Sequence, residues 1–236
     1  MHVVWTPPER DPERDMPKRY GVKEKDLVVA HVLDMLLTGR LRSGDRVDRN
    51  KITAALGLSR VPVQEALNQL EHDGILESRY HRGAFVHRFD ADVLREHHEV
   101  HGLLTGAASA RAAADPRPDV LDRLAEPIAV MRASSDSRAF LNAADLFRDI
   151  VVDEYAGPRL SAGIRASRGF MPHEFWATYP DTVNQLLPLA EAEHDAIHRR
   201  NPSSARQACL DRTDLMADVL IGELHRLGVL TDLGSV

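Results

Sequence analysis

The segment from Lys51 to Gly74 packs two helix stops and one helix start into a short space, and few folds accommodate that order. Gly57 suits the left-handed cap that closes a short helix over KITAALGL. Ser59 stands where an N-cap belongs, and Pro62 falls in the first turn of the next helix, where a missing N–H costs nothing. Apolar spacing then predicts a helix from about Val61 to His72, ended by Gly74. Upstream, DLVVAHVLDMLLTG repeats apolar residues at helical spacing and stops before Gly39, and LRSGDRVD reads as a turn with Ser43-Gly44-Asp45 at its tip. After Gly74 the period becomes that of strands. ILESR and AFVHRF flank Tyr80-His81-Arg82-Gly83 as a small hairpin. Helix, helix, turn, helix and hairpin within about 65 residues outline a winged helix-turn-helix.

From Asp90 onward the periodicity is helical throughout, with breaks at Ser134-Ser135, Gly157-Pro158, Met171-Pro172, Tyr179-Pro180 and Asn201-Pro202. The expected fold class is therefore mainly α: an N-terminal winged helix-turn-helix followed by an all-α antiparallel helical bundle. Residues 1–22 have no period and four prolines and are expected to be a flexible arm; 23–88 are expected to form the winged helix-turn-helix domain and 89–236 a helical domain, which the family resemblance given below makes a DNA-binding domain and an effector-binding and dimerisation domain. Charge follows this division. The formal charge of −6 splits into a neutral arm, +2 over 23–88 and −8 over 89–236, so the two modules are expected to meet different partners. The charged, Pro-rich start lacks the apolar core of a signal peptide, and no apolar run reaches the roughly 18 residues of a membrane span. One cysteine, Cys209, excludes a disulfide framework, and a cytoplasmic protein without membrane contact is expected.

The stretch ALGLSRVPVQEALNQLEHDGIL with the following RGAFV resembles the GntR family of bacterial transcription regulators. Gly44-Asp45, Leu56 to Arg60, Pro62-Val63, Glu65 to Leu67, Leu70, Gly74 and Gly83 carry the resemblance. It implies a homodimer that binds double-stranded DNA at a palindromic operator and is tuned by a small effector. In that frame Ser59, Arg60, Val61 and Gln64 belong to the helix entering the major groove, Arg49 and Asn50 to the helix crossing the backbone, and Tyr80, His81, Arg82 and Gly83 to the wing. Arg60 suits a guanine edge or a phosphate. Gln64 suits adenine or another pattern, and it stands where the family often carries Arg.

FLNAADLFRDIV, AEAEHDAI and ARQACLDR resemble the FCD-type effector domain of the same family, the FadR-like subgroup. That resemblance implies a central metal whose four ligand positions fall here on Ala144, Arg148, His194 and Arg212. One ligand in four survives, so no metal or other cofactor is expected, with metal at His194 left open. The two arginines imply instead an anionic effector, a small carboxylate, paired bidentately by Arg148 and Arg212 with His101 and His194 nearby. Pairing of the arginines with carboxylates of the chain itself, such as Glu99, Asp145 or Asp211, is the competing reading. His97-His98-Glu99-Val100-His101 has one residue after the glutamate where a zinc-protease helix needs two. With no nucleophile-elbow, phosphate-loop or dinucleotide motif, the expectation is a ligand-responsive regulator, a repressor, and not an enzyme. The alternatives are a regulator with a degenerate, effector-independent pocket and a metal-dependent helical enzyme using the His-rich helices.

Overall fold

The computed structural model describes residues 24–80, 82–168 and 173–230. The expected arm, His81 at the hairpin tip and the break at Met171-Pro172 lie outside the described residues. Among the described residues chain packing separates two compact units, one formed by Arg95–Leu220 and the other by residues 24–94 together with 221–230. The boundary thus falls six residues beyond 88, and residues 221–230 belong with the front unit.

In the front unit, α1 (Glu24–Leu37), α2 (Arg49–Leu56) and α3 (Arg60–His72) are followed by β1 (Leu76–Arg79) and β2 (Gly83–Val86). Val28, Val32 and Leu36 of α1 meet Val63, Ala66, Leu67 and Leu70 of α3 in its core. Asp48 caps α2 by accepting from the Asn50 and Lys51 amides, and Gly57 closes it at φ 64°, a left-handed value that favours glycine. The strands pair antiparallel, with Leu76 opposite Val86 and Arg79 opposite Gly83. The LRSGDRVD turn does more than connect. The Gly44 and Val47 amides donate to Val86 and Ala84 carbonyls, and Arg46 bridges to Phe85, which adds a third edge to the wing. Leu224 and Leu230 are buried, and a side chain at Gly39 would touch Val229, so the end of the chain completes this core.

The other unit is helical: α4 (Ala91–Ala114, from Arg95 onward), α5 (Pro118–Ala133), α6 (Ser137–Tyr155), α7 (Pro158–Arg168), α8 (His173–Thr178), α9 (Thr182–His198) and α10 (Pro202–Arg226, to Leu220). Mainly α, with one hairpin, is the observed class. The short α8 is an element that periodicity missed. Its Phe175 and Trp176 are buried, and Trp176 meets Phe175 and Tyr179 edge to face. The small-residue run of α4 is a contact surface for α10. A Cβ on Gly102 would stand 2.2 Å from Thr213 Oγ1, and one on Gly106 would stand 3.0 Å from Arg206 Cγ. No helix among the described residues is long and apolar enough to cross a membrane.

Gly102→Ala is expected to destabilise the protein by about 1–3 kcal/mol, because buried Thr213 is tied to the Cys209 and Leu210 carbonyls and has little room to yield. Gly222→Ala, where a Cβ meets nothing within 4 Å, is expected to be neutral or to stabilise by up to about 1 kcal/mol. Urea midpoints of the two variants check the pair.

Candidate functional site

Two clusters of chemistry-bearing residues stand out, one in each unit. In the front unit α3 buries Pro62, Val63, Ala66, Leu67 and Leu70, which leaves Arg60, Val61, Gln64, Glu65 and Asn68 on its outer face. Val61 is 65% exposed, an apolar side chain left in water at the start of the helix. Ser59 holds the N-cap position in extended conformation, yet its side chain makes no capping bond. The first-turn amides of α3 therefore remain available to an outside acceptor such as a phosphate oxygen.

A cleft of about 620 Å³ runs between α2, α3 and β2; Arg46, Arg49, Asn50, Arg60, Val61, Gln64, Asn68 and Gly83 line it together with Asp48 and Glu65, so that three arginines face two carboxylates. Ser59, Tyr80 and Arg82 do not line it. Tyr80 is 88% exposed at the hairpin turn, which the Arg82 amide closes on the Arg79 carbonyl at 2.8 Å. Gly83 takes φ 94°, and its missing side chain leaves space toward the Arg46 guanidinium. Within the cleft the Gln64 amide is bonded at both ends: Arg49 donates to its Oε1, and its Nε2 donates to Asn68 Oδ1. Arg46 and Asn68 had escaped the sequence reading. Asn68 was findable, since it follows Gln64 by one helical turn; Arg46 was hidden inside a segment read as a turn.

The second cluster lies in the helical unit, where Ser109 of α4, Arg148 of α6, Glu193 of α9 and Cys209 and Arg212 of α10 come together. Arg148 reaches Glu193 with both terminal nitrogens, Nη1 at 2.7 Å from Oε1 and Nη2 on Oε2. Ser109 Oγ donates to Glu193 Oε1 at 2.5 Å and accepts from Arg148 Nη1 at 3.0 Å, while Cys209 Sγ lies 3.4 Å from the same hydroxyl. Arg212 Nη1 stands 3.8 Å from Glu193 Oε2, and Arg212 Nε is buried without a partner. One carboxylate thus faces two guanidiniums, and one positive charge is left over.

Titration directions follow from that count. Burial pushes the Glu193 carboxyl up, but the guanidiniums of Arg148 and Arg212 overcome it and hold the group at about 2. Burial also works against the Arg148 charge, and Glu193 more than restores it. Arg212 is lowered by burial and by the like charge of Arg148, with Glu193 opposing less effectively. Arg212 is the under-compensated member. His101 is buried with Nδ1 2.9 Å from Ser167 Oγ, and burial together with the charges of Arg212 and Arg148 lowers its imidazole to about 3. His194 is lowered by burial and by His198, whose ring centre lies 4.4 Å away.

These facts correct the sequence reading in two places. The carboxylate that meets Arg148 is Glu193. Glu99 is exposed, Asp145 pairs with Arg168 at 2.6 Å, and Asp211 accepts from Gln207. Arg148 is consequently not open to an outside anion in this structure, because both ends of its fork are taken. Periodicity over α9 also predicts an inward stripe of Leu187, Ala190, His194 and Ile197; the structure keeps Ala190 and Ile197 but buries Leu186 and Glu193 in place of Leu187 and His194, with Glu193 1% exposed. The residues at the FCD-type ligand positions do not fit a metal cation either. Ala144 has no donor atom, and Arg148 and Arg212 bring positive charge to the place where a cation would need ligands.

A helix-turn-helix with a basic cleft and a wing, joined to a helical unit, defines a DNA-binding transcription regulator. Residues 24–86 match the profile of the bacterial regulatory proteins, gntR family. The chain is 58% identical over 215 residues, 91% of its length and 88% of the relative's, to an uncharacterized HTH-type transcriptional regulator of Mycobacterium tuberculosis. Over 89 residues, 38% of each chain, it is 36% identical to a probable D-xylose utilization operon transcriptional repressor of Paenarthrobacter nicotinovorans. Among solved structures, E. coli McbR/YncC aligns over 86% of this chain and 99% of its own with TM-score 0.61 and 20% identity, which bears on the fold. The chain belongs to the GntR family of transcription regulators.

Replacing Glu193 by Ala is expected to cost about 3–5 kcal/mol, since it strands two buried guanidiniums, whereas the double variant Arg148→Met/Glu193→Leu is expected to recover part of that loss. Stability should also depend on pH. Below about 6.5 the unfolded chain binds a proton at His101 that the folded ring takes only near pH 3, so stability falls as pH falls through that window. His97 and His194, both lowered by burial, act with the same sign. Glu193 adds a second loss that starts near pH 4.3 and runs toward about 2. Urea midpoints should decline from about pH 7.5 to 5, and His101→Gln should flatten the decline; a flat wild-type profile would contradict the buried neutral histidine.

Proposed function

We propose that the protein is a ligand-responsive repressor that binds a palindromic DNA site as a homodimer, with DNA held by the front unit and a small carboxylate sensed by the helical unit. The basic cleft between α2, α3 and the wing is the observation that carries the DNA half. Arg60, Val61 and Gln64 address base edges, Arg49, Asn50 and Ser59 the phosphates beside them, and Tyr80, His81, Arg82 and Gly83 the adjoining groove or backbone. A single front module carries little net positive charge, so two are needed to gather enough phosphate contacts, and a two-fold pair matches a palindrome. The name of the Paenarthrobacter relative, a probable repressor, supports the sign of regulation.

The sensing half rests on Arg212, whose one ion pair among the described residues is a long one to a carboxylate already held by Arg148. A planar carboxylate suits its fork. In this reading Arg148 and Glu193 hold four helices around the site, His101 lies in the same positive field as a neutral ring, and His194 lines the approach. Effector binding then shifts the population between forms of different DNA affinity. The Arg148–Glu193 bond favours a second reading, in which the chain's own carboxylate has replaced the effector and DNA binding is constitutive.

Calorimetry with a panel of mono- and dicarboxylic acids distinguishes the two. The sensing reading expects at least one acid to bind wild type, to fail on Arg212→Met, and to change affinity for DNA. No binding by any acid, with DNA binding intact, supports the constitutive form. On the DNA side, Arg60→Ala is expected to cost about 1–3 kcal/mol and relax one base position, whereas Arg82→Ala weakens binding evenly and flattens the salt slope. Anisotropy titrations at several salt concentrations check both.

A further inference from the structure

Gln64 is an exposed side chain that is nonetheless not free to turn. Its Oε1 accepts from the Arg49 guanidinium of α2, and its Nε2 donates to Asn68 Oδ1 at 2.6 Å, one turn further along α3. The two bonds agree on one orientation, because a guanidinium only donates and Asn68 presents an acceptor. A flipped amide would set N–H against guanidinium and oxygen against oxygen. A primary amide has two lone pairs on oxygen and two N–H groups, so each end keeps one site unused. What remains on this exposed, cleft-lining amide is one acceptor site on the oxygen and one donor site on the nitrogen, in the plane of the amide.

Of the four bases, only adenine offers the complement in the major groove, an N6–H donor beside the N7 acceptor. Guanine shows two acceptors, thymine one acceptor and a methyl, cytosine one donor. We infer that Arg49, Gln64 and Asn68 form an adenine reader, in which Gln64 determines specificity and Arg49 and Asn68 are positioning residues that set its amide before DNA arrives. The inference rests on the DNA-binding reading and deepens it by assigning one base pair per half-site. It also gives Arg49 a second task, since its remaining N–H groups still reach outward for a phosphate.

Selection from a randomised duplex pool with the full chain, followed by anisotropy on duplexes varied at single positions, tests this. Wild type is expected to select an A·T pair at one position per half-site, with about ten- to hundredfold discrimination. Gln64→Glu, which has acceptors only, should lose adenine at that position and gain cytosine. Arg49→Met and Asn68→Ala should each erode discrimination there and nowhere else, beyond any uniform loss of affinity. Asn68→Asp keeps the acceptor oxygen and should retain the adenine ratio even as the added charge weakens binding overall. All three positions are exposed, and circular dichroism confirms that the four variants fold. A wild-type site in which no position responds to Gln64→Glu, or in which the responding position is not A·T, overturns the reader and leaves the DNA-binding reading standing. A pool that never enriches overturns both.

Discussion

The bond between Arg148 and Glu193 ties four helices of the helical unit together at one buried point. Both groups are buried, and each would be prohibitively costly alone. Their positions on α6 and α9, with Ser109 of α4 and Cys209 of α10 closing the shell, fix how four helices meet. Close approach of α4 and α10 at Gly102 and Gly106 brings Ser109 and Cys209 near enough to take part. One residue is left unbalanced by this arrangement. Arg212 faces the same carboxylate from farther away, at 3.8 Å, and its charge is the less fully compensated of the two.

The front unit obeys a different constraint. It must bury one face of α3 and keep the opposite face bare, and the side chains sort cleanly: aliphatic residues inward, Arg60, Gln64 and Asn68 outward. Asp48 and Gly57 fix the length of α2 and hence where Arg49 stands relative to Gln64. The wing gains rigidity from a third edge contributed by the chain just before α2. Arg46 is thereby carried into the cleft. Burial of one face of α3 and the capping of α2 together set the geometry of the cleft.

The winged helix was legible in the sequence because its boundaries are written in residues with strong backbone preferences: Gly57, Pro62 and Gly74 leave little choice. Most helices of the rear unit were legible for the same reason, through Gly157-Pro158, Tyr179-Pro180 and Asn201-Pro202. What escaped needed three dimensions. A one-residue error in the phase of α9 turns a side chain by about 100°, and that hid Glu193 behind His194. The six residues of α8 are too few to show a period. Periodicity also reports that α10 has a buried face without saying what buries it, so the role of Leu224 and Leu230 in the front core went unseen. Ser59 illustrates the opposite error: a residue in the expected place that does not make the expected bond.

Sequence-specific recognition of duplex DNA by a surface of such modest charge is open to a decisive measurement. Measuring the affinity of the full chain for its selected palindrome and for a scrambled duplex of equal length, over a series of salt concentrations, tests it most directly. The account predicts a logarithmic affinity that falls linearly with the logarithm of salt, and a preference for the palindrome of about 1,000-fold or more. Equal affinity for the two duplexes at every salt concentration would contradict it.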